Sequence, residues 1–156
     1  GSTLADVGAG SGYITVKMAN RVGPSGKVYA NDIQPEMLAL LRERLTREKV
    51  TNVETVLGTF DDPKLPSGAI DLILMVDVYH EFSEPQKMLQ RMRENLKPGG
   101  RLVLLEYRKE DPAVPIKFEH KMSVAEAKME LEAEGYKLSK VDEVLPRQHI
   151  LIFTRP

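Results

Sequence analysis

The sequence contains no cysteine, which excludes a disulfide frame and any cysteine-ligated metal centre. That absence suits a reducing compartment, so a cytoplasmic location is expected. A targeting segment upstream of Gly1 would lie outside this sequence. No charge of one sign dominates: 22 basic residues stand against 23 acidic, for a formal net charge of −1. Such a balance offers no broad basic field for RNA or DNA. No apolar run approaches the ~18 residues of a membrane span, so no membrane segment is expected. Signal peptide, internal repeat and low-complexity tract are all absent from view. The 156 residues suffice for one domain with a full core, spanning 1–156.

What the chain does have is a glycine-rich bend near its start, Leu4-Ala5-Asp6-Val7-Gly8-Ala9-Gly10-Ser11-Gly12. An apolar strand enters it and a helix leaves it at about Tyr13. Strand, glycine turn and helix open a nucleotide-binding α/β unit. Glycine permits backbone angles that a side chain opposes, and it lets a ligand approach the main chain. The spacing separates ligands. A dinucleotide fingerprint is G-x-G-x-x-G, with pyrophosphate at the helix N-terminus. Here the pattern is G-x-G-x-G, and Tyr13 stands where the third dinucleotide glycine belongs. Asp6 puts an acid beside the bend, which suits a cationic ligand better than a diphosphate. An NAD-dependent oxidoreductase is therefore disfavoured.

The following segments alternate as an α/β domain should. A helix is expected over 13–21, a strand over 27–31 ending at Asp32, and a helix over 35–48 with Met37, Leu38, Leu41 and Leu45 at helical spacing. An acid at the tip of the second strand can accept both hydroxyls of an adenosine ribose; the alternative for Asp32 is a helix cap. Ile33 and Met37 sit where a flat adenine needs apolar walls. Strands are expected over 53–57, 71–76 and 101–106. Ser83 with Gln86, and Ser123 with Glu126, form two capping boxes that open helices. The segments 136–144 and 150–154 form a closing antiparallel hairpin, with His149 on its surface.

The glycine bend closely resembles motif I of the class I S-adenosylmethionine (SAM)-dependent methyltransferases. Asp32, Asp77, the Leu96-Lys97-Pro98-Gly99-Gly100 turn and the closing hairpin extend that resemblance from Leu4 to Phe153. It implies an α/β Rossmann-like fold: a seven-stranded sheet of order 3-2-1-4-5-7-6, last strand antiparallel, helices on both faces. It implies SAM across the ends of strands 1, 2 and 4, with S-adenosylhomocysteine as product. Cofactor contacts are then expected from Asp6, Gly8, Ala9, Gly10, Gly12, Tyr13, Asp32, Ile33, Thr59, Phe60, Asp61 and Asp77. In the family, the acid at Asp6 orders the methionine amino end. An acid after the third strand meets the adenine amino group; Asp61 or Asp62 could do this, since Thr59 stands directly after Gly58, where the family's acid usually lies. Family members also carry a helical segment before the first strand, whereas here nothing precedes Thr3. The resemblance then implies a shortened chain, a minimal enzyme, or a site that a second copy or a partner completes.

The fourth strand ends in Asp77-Val78-Tyr79-His80-Glu81-Phe82, at the sheet edge where α/β ligands bind. Methyl transfer from a sulfonium needs mainly in-line positioning, with a base only when the acceptor loses a proton. His80 and Glu81 are the first candidates, followed by Tyr79, Tyr107 and His120. No metal is expected, because neighbouring residues rarely face one ion and no third ligand is in register. The expected activity is methyl transfer to a small-molecule acceptor. The alternatives are an RNA or protein methyltransferase, and a SAM-binding subunit without catalysis of its own.

Overall fold

The structure is a computed structural model describing residues 1–156. Its elements are β1 (Thr3–Val7), α1 (Tyr13–Val22), β2 (Lys27–Asp32), α2 (Pro35–Arg47), β3 (Val53–Leu57), β4 (Ile70–Val76), α3 (Pro85–Asn95), β5 (Leu96–Arg108), β6 (Lys121–Met122), α4 (Val124–Ala133), β7 (Lys137–Asp142) and β8 (Gln148–Thr154). Two short 3-10 turns, Tyr79–Glu81 and Phe118–His120, precede α3 and β6.

The sheet runs β3-β2-β1-β4-β5-β8-β7. Its first five strands are parallel, and β8 is antiparallel to both β5 and β7. This is the expected order, with one strand added to the count. β6 pairs Tyr107 and Arg108 of β5 beyond the point where β4 ends. Alternation along the strands divides the core. Ala5 and Val7 of β1 join Met88, Leu89 and Met92 of α3 and Leu131 of α4 in one large cluster. Leu4, on the opposite face, packs with Met18 and Ala19 of α1. Buried on both sides, the central strands read as near-continuous apolar runs. No helix is long and apolar enough to cross a membrane.

Three local expectations need correction. Ser83 does not cap α3: Glu84 is the N-cap and no side-chain cap bond forms. A residue before proline avoids the helical region, and Glu84 at φ −128 and ψ 63 obeys that rule, so Pro85 is the first helical residue. The second capping box is present, with Ser123 and Glu126 bonding reciprocally. The Pro98-Gly99-Gly100 turn lies inside β5 as a bulge. Ile70 faces Leu96 while Leu72 faces Arg101, so four residues loop out and the Gly99 amide donates to the Arg155 carbonyl at 2.7 Å. His149 is buried rather than exposed. It shares the inward parity of Leu151 and Phe153 on β8, and its ring nitrogens meet Glu143 at 2.5 Å and Glu110 at 2.9 Å.

Gly12 decides where α1 sits. It caps that helix in the left-handed region at φ +94, and a Cβ there would overlap Leu41 Cδ1 on α2. Gly23, at the other end of α1, has a similar φ of +75 with nothing within 4 Å of a Cβ. Gly12→Ala is therefore expected to destabilise the fold by about 2–4 kcal/mol, combining backbone strain with overpacking. Gly23→Ala carries only the backbone part, about 1–3 kcal/mol, since φ +75 with ψ −178 is a region that glycine alone enters readily. Urea denaturation of both variants checks this; equal losses would mean that α2 absorbs the extra methyl freely.

Candidate functional site

The carboxyl ends of β1, β2 and β4 open onto a cavity of about 360 Å³, within the range of small-ligand sites. Val7, Gly8 and Gly10 form one side, and Asn31 and Asp32 another. Ile33, Met37 and Phe60 give it apolar walls, and Val78, Glu81, Phe82, Ser83 and Met88 close it from the β4 side. Ile33 and Phe60 are exposed apolar side chains, so the mouth is open.

Two hydrogen-bonding groups at the end of β2 set the loop. The Asn31 carbonyl accepts from the amides of Gly8 and Ala9 at 2.9 and 2.8 Å. The Asp32 carboxylate accepts from the Gly10 amide at 2.9 Å and the Gln34 amide at 3.0 Å. Each carboxylate oxygen has further lone-pair capacity. Gly10 stands at φ +58, and no atom lies within 4 Å of where its Cβ would be. That empty space is cavity, so the loop forms a cradle that any side chain at this position would fill.

Thr59 also lines the cavity, whereas Asp6, Ala9, Gly12, Tyr13, Asp61 and Asp77 lie off the wall. Asp6 is buried beneath the loop, where it accepts from the Thr15 hydroxyl at 2.7 Å. Burial pushes its carboxyl up to about 6; the Thr15 bond opposes the rise and the charge of Asp32 adds to it. Ala9 packs against the cluster of Leu38, Leu41 and Leu45. Tyr13 is 61% exposed, and its hydroxyl accepts from Lys17 at 3.0 Å. Asp61 is exposed and accepts from the Thr59 hydroxyl at 2.9 Å, while Asp62 accepts from the Lys64 amide at 2.8 Å. Asp77 adopts φ +54, and its two carboxylate oxygens accept from Gln148 Nε2 at 2.9 and 2.8 Å. Burial raises its pKa, and the Gln148 bond works against that rise.

A second group of polar side chains stands beside the cavity. The turn Tyr79–Glu81 places His80 over β5, where its Nδ1 meets Glu106 Oε2 at 2.7 Å and its amide donates to Glu106 Oε1 at 3.1 Å. Glu106 is fully buried; desolvation raises its pKa, and its bonds to His80 oppose the rise. His80 Nε2 lies 3.7 Å from Glu81 Oε1, and Glu81 also lines the cavity. The His120 ring stands 5.6 Å from the His80 ring, edge to face. Tyr79 points instead into the main core and packs on Phe82. Tyr107 sits half-buried on β5 between β6 and β8.

Sequence reasoning missed Glu106, Gln148 and Asn31. A signal existed for Glu106: an acid at the end of an apolar central strand is almost never buried without a partner. Asn31 carries a similar mark as a polar residue near the end of a core strand, and in the structure its Nδ2 donates to the Pro63 carbonyl at 2.8 Å. Gln148 gave none, because its partner Asp77 lies 71 residues away.

Comparison with known proteins agrees with this geometry. A family model described as "Methyltransferase domain" matches residues 1–148. The ubiquinone/menaquinone biosynthesis C-methyltransferase UbiE of Escherichia fergusonii is 37% identical over 110 residues, covering 70% of this chain and 44% of that protein. The chain thus spans less than half the length of such relatives. Among solved structures, a SAM-dependent methyltransferase from Aquifex aeolicus superposes with a TM-score of 0.93 at 30% identity, covering 99% of this chain and 82% of that one. The [4+2]-cyclase SpnF superposes at 0.85 with 17% identity, covering 100% and 76%; that likeness is one of fold alone.

The folded chain holds a proton on Asp6 up to about pH 6, whereas the unfolded chain releases it near 3.8. Folding therefore takes up a proton between those values, and stability falls as pH rises through them. Asp6→Asn keeps an acceptor for Thr15 and removes this loss. Relative to wild type, it is expected to lose less stability between pH 4 and 7.5, by about 2–3 kcal/mol. Urea denaturation at both pH values checks this; identical pH dependence would show that Asp6 ionises freely when folded.

Proposed function

Because the chain belongs to the class I SAM-dependent methyltransferase-domain family, we propose that it transfers a methyl group from SAM to a small-molecule acceptor. The observation that carries this reading is the pairing of Gly10 and Asp32 on one cavity wall. An open glycine cradle beside a strand-end carboxylate fits an adenosine ribose, and Ile33, Met37 and Phe60 offer the flat apolar flank that adenine needs. Thr59 and Phe60 supply main-chain contacts to the ring. The buried charge of Asp6, crowded by Asp32, favours a cationic ligand nearby; Gly8, Ala9, Gly12, Tyr13 and Asp61 support the loop and its rim, and Asp77 stands at the end of β4 against Gln148.

SAM supplies a methyl on a sulfonium: the S–CH₃ bond breaks as the acceptor–CH₃ bond forms, and the electron pair stays on sulfur. The chain's own residues position the acceptor and help it lose a proton. His80 is oriented by Glu106 through Nδ1, which leaves Nε2 toward Glu81 and the cavity side. That arrangement assists departure of a proton from an acceptor hydroxyl. A phenol or enol so ionised becomes nucleophilic at carbon as well as oxygen. The C-methyltransferase relative makes carbon the favoured atom, and the balanced charge of this chain favours a small acceptor over a nucleic acid.

Calorimetric titration with SAM and with S-adenosylhomocysteine, using NAD as control, tests the cofactor. Micromolar binding of both adenosyl ligands with NAD silent is expected. Asp32→Ala should weaken SAM at least tenfold, since charge-assisted bonds contribute about 1.5–3 kcal/mol each. An unchanged affinity would remove Asp32 from the ribose site. His80→Ala should leave SAM affinity intact and slow turnover on a phenolic acceptor by roughly 10²-fold or more. Binding without turnover on any acceptor would favour a non-catalytic SAM-binding subunit.

A further inference from the structure

The fold supplies the third ligand that sequence spacing does not. The turn Tyr79–Glu81 directs His80 and Glu81 to the same side, with His80 Nε2 3.7 Å from Glu81 Oε1. The turn Phe118–His120, reached through the long loop after β5, brings His120 against them. One ligand atom from each of His80, Glu81 and His120 lies within 4.8 Å of the other two. We propose that these three side chains form a binding site for a divalent transition cation of the zinc class, at the mouth of the cofactor cavity.

Four features carry the assignment. Two imidazoles and one carboxylate form a mixed nitrogen and oxygen set, which suits zinc-class cations and disfavours magnesium and calcium, whose sites are built from oxygen. Glu106 holds His80 Nδ1 at 2.7 Å and its main-chain amide at 3.1 Å. A carboxylate on the far nitrogen fixes the ring of a metal-bound histidine and leaves Nε2 to coordinate. Glu81 and His120 are exposed, so the site is reached from solvent. Three protein ligands leave coordination open for an outside group, and one of the three, Glu81, also lines the cavity.

With a cation bound, this site replaces the proton-accepting role given to His80 above, since Nε2 has one lone pair, and it rests on the methyl-transfer reading only for the identity of the outside group. A cation held by His80, Glu81 and His120 would lower the pKa of an acceptor hydroxyl beside it, easing loss of that proton to solvent. His80 would then act through the cation as a ligand. The acceptor class narrows to molecules with a phenol, enol or similar oxygen next to the methylated atom.

The test uses the untagged full chain, stripped with a chelator and titrated calorimetrically with zinc chloride, and with cobalt chloride followed by visible absorbance. One equivalent at micromolar affinity or tighter is expected, with a cobalt spectrum of low coordination number. His120→Ala alters an exposed side chain outside the cavity lining, and it should weaken zinc at least tenfold while leaving SAM affinity unchanged; Glu81→Gln should weaken zinc by a similar factor. Wild type without zinc binding, or His120→Ala binding as tightly as wild type, would overturn the site. Loss of SAM binding in wild type with zinc binding retained would instead overturn the cofactor reading and leave the metal site standing.

Discussion

The bond from the Gly10 amide to the Asp32 carboxylate ties together the two strand ends on which the cavity depends. Parallel strands deliver their carboxyl ends to one edge, but they do not fix the loops that follow. Here β2 does so for β1: the Asn31 carbonyl holds Gly8 and Ala9, and the Asp32 carboxylate holds Gly10. The same carboxylate accepts from Gln34, so the entry to α2 is anchored at the same point. Asn31 extends the anchoring outward through its side chain to Pro63, which sets the segment carrying Thr59 and Phe60. One pair of adjacent polar residues therefore places three of the cavity's sides.

The buried and half-buried acids around this edge follow one rule. A carboxylate out of water is costly unless hydrogen bonds or cations compensate. Glu106 has the His80 ring and amide, Asp77 has both contacts from Gln148, and Asp6 has a single hydroxyl. Asp6 is the least compensated and lies near another carboxylate, which is why its pKa rises to about 6. A chain selected only for stability would place an apolar residue there. The concentration of such acids at one edge of the sheet is the electrostatic counterpart of the cavity beside them.

Much of this was legible in the sequence. Strand–glycine–helix at 4–13, the acid at 32 and the closing hairpin carry the family resemblance, and it is that resemblance that implies the sheet order the structure has. These features are local, and each carries its own backbone requirement. The misses are of two kinds. Ser83 failed as a cap because a short-range rule, the restriction before Pro85, outranked the capping pattern. His149 was misread and Glu106 missed because partners of each come from other segments, while His120 was among the residues expected near the site. His149 faces Glu110 and Glu143 from different loops, although the parity of β8 marked it as inward. His120 reaches His80 only because the loop after β5 returns across the sheet edge to add β6.

That return explains why the chain carries so long a polar segment between β5 and α4. The segment is fastened at several points. Lys121 donates to the Asp111 carbonyl, Lys109 meets Glu126 on α4, and Glu110 accepts from the Val124 amide while holding His149. Long loops without such ties sample many arrangements, and side chains on them cannot be placed to within an ångström. With these bonds the loop becomes a fixed wall, and His120 stands opposite His80 as a structural consequence. Side-chain placement at this edge is thus distributed: β2 fixes the cradle, β5 fixes His80 through Glu106, and the bonded loop fixes what faces them.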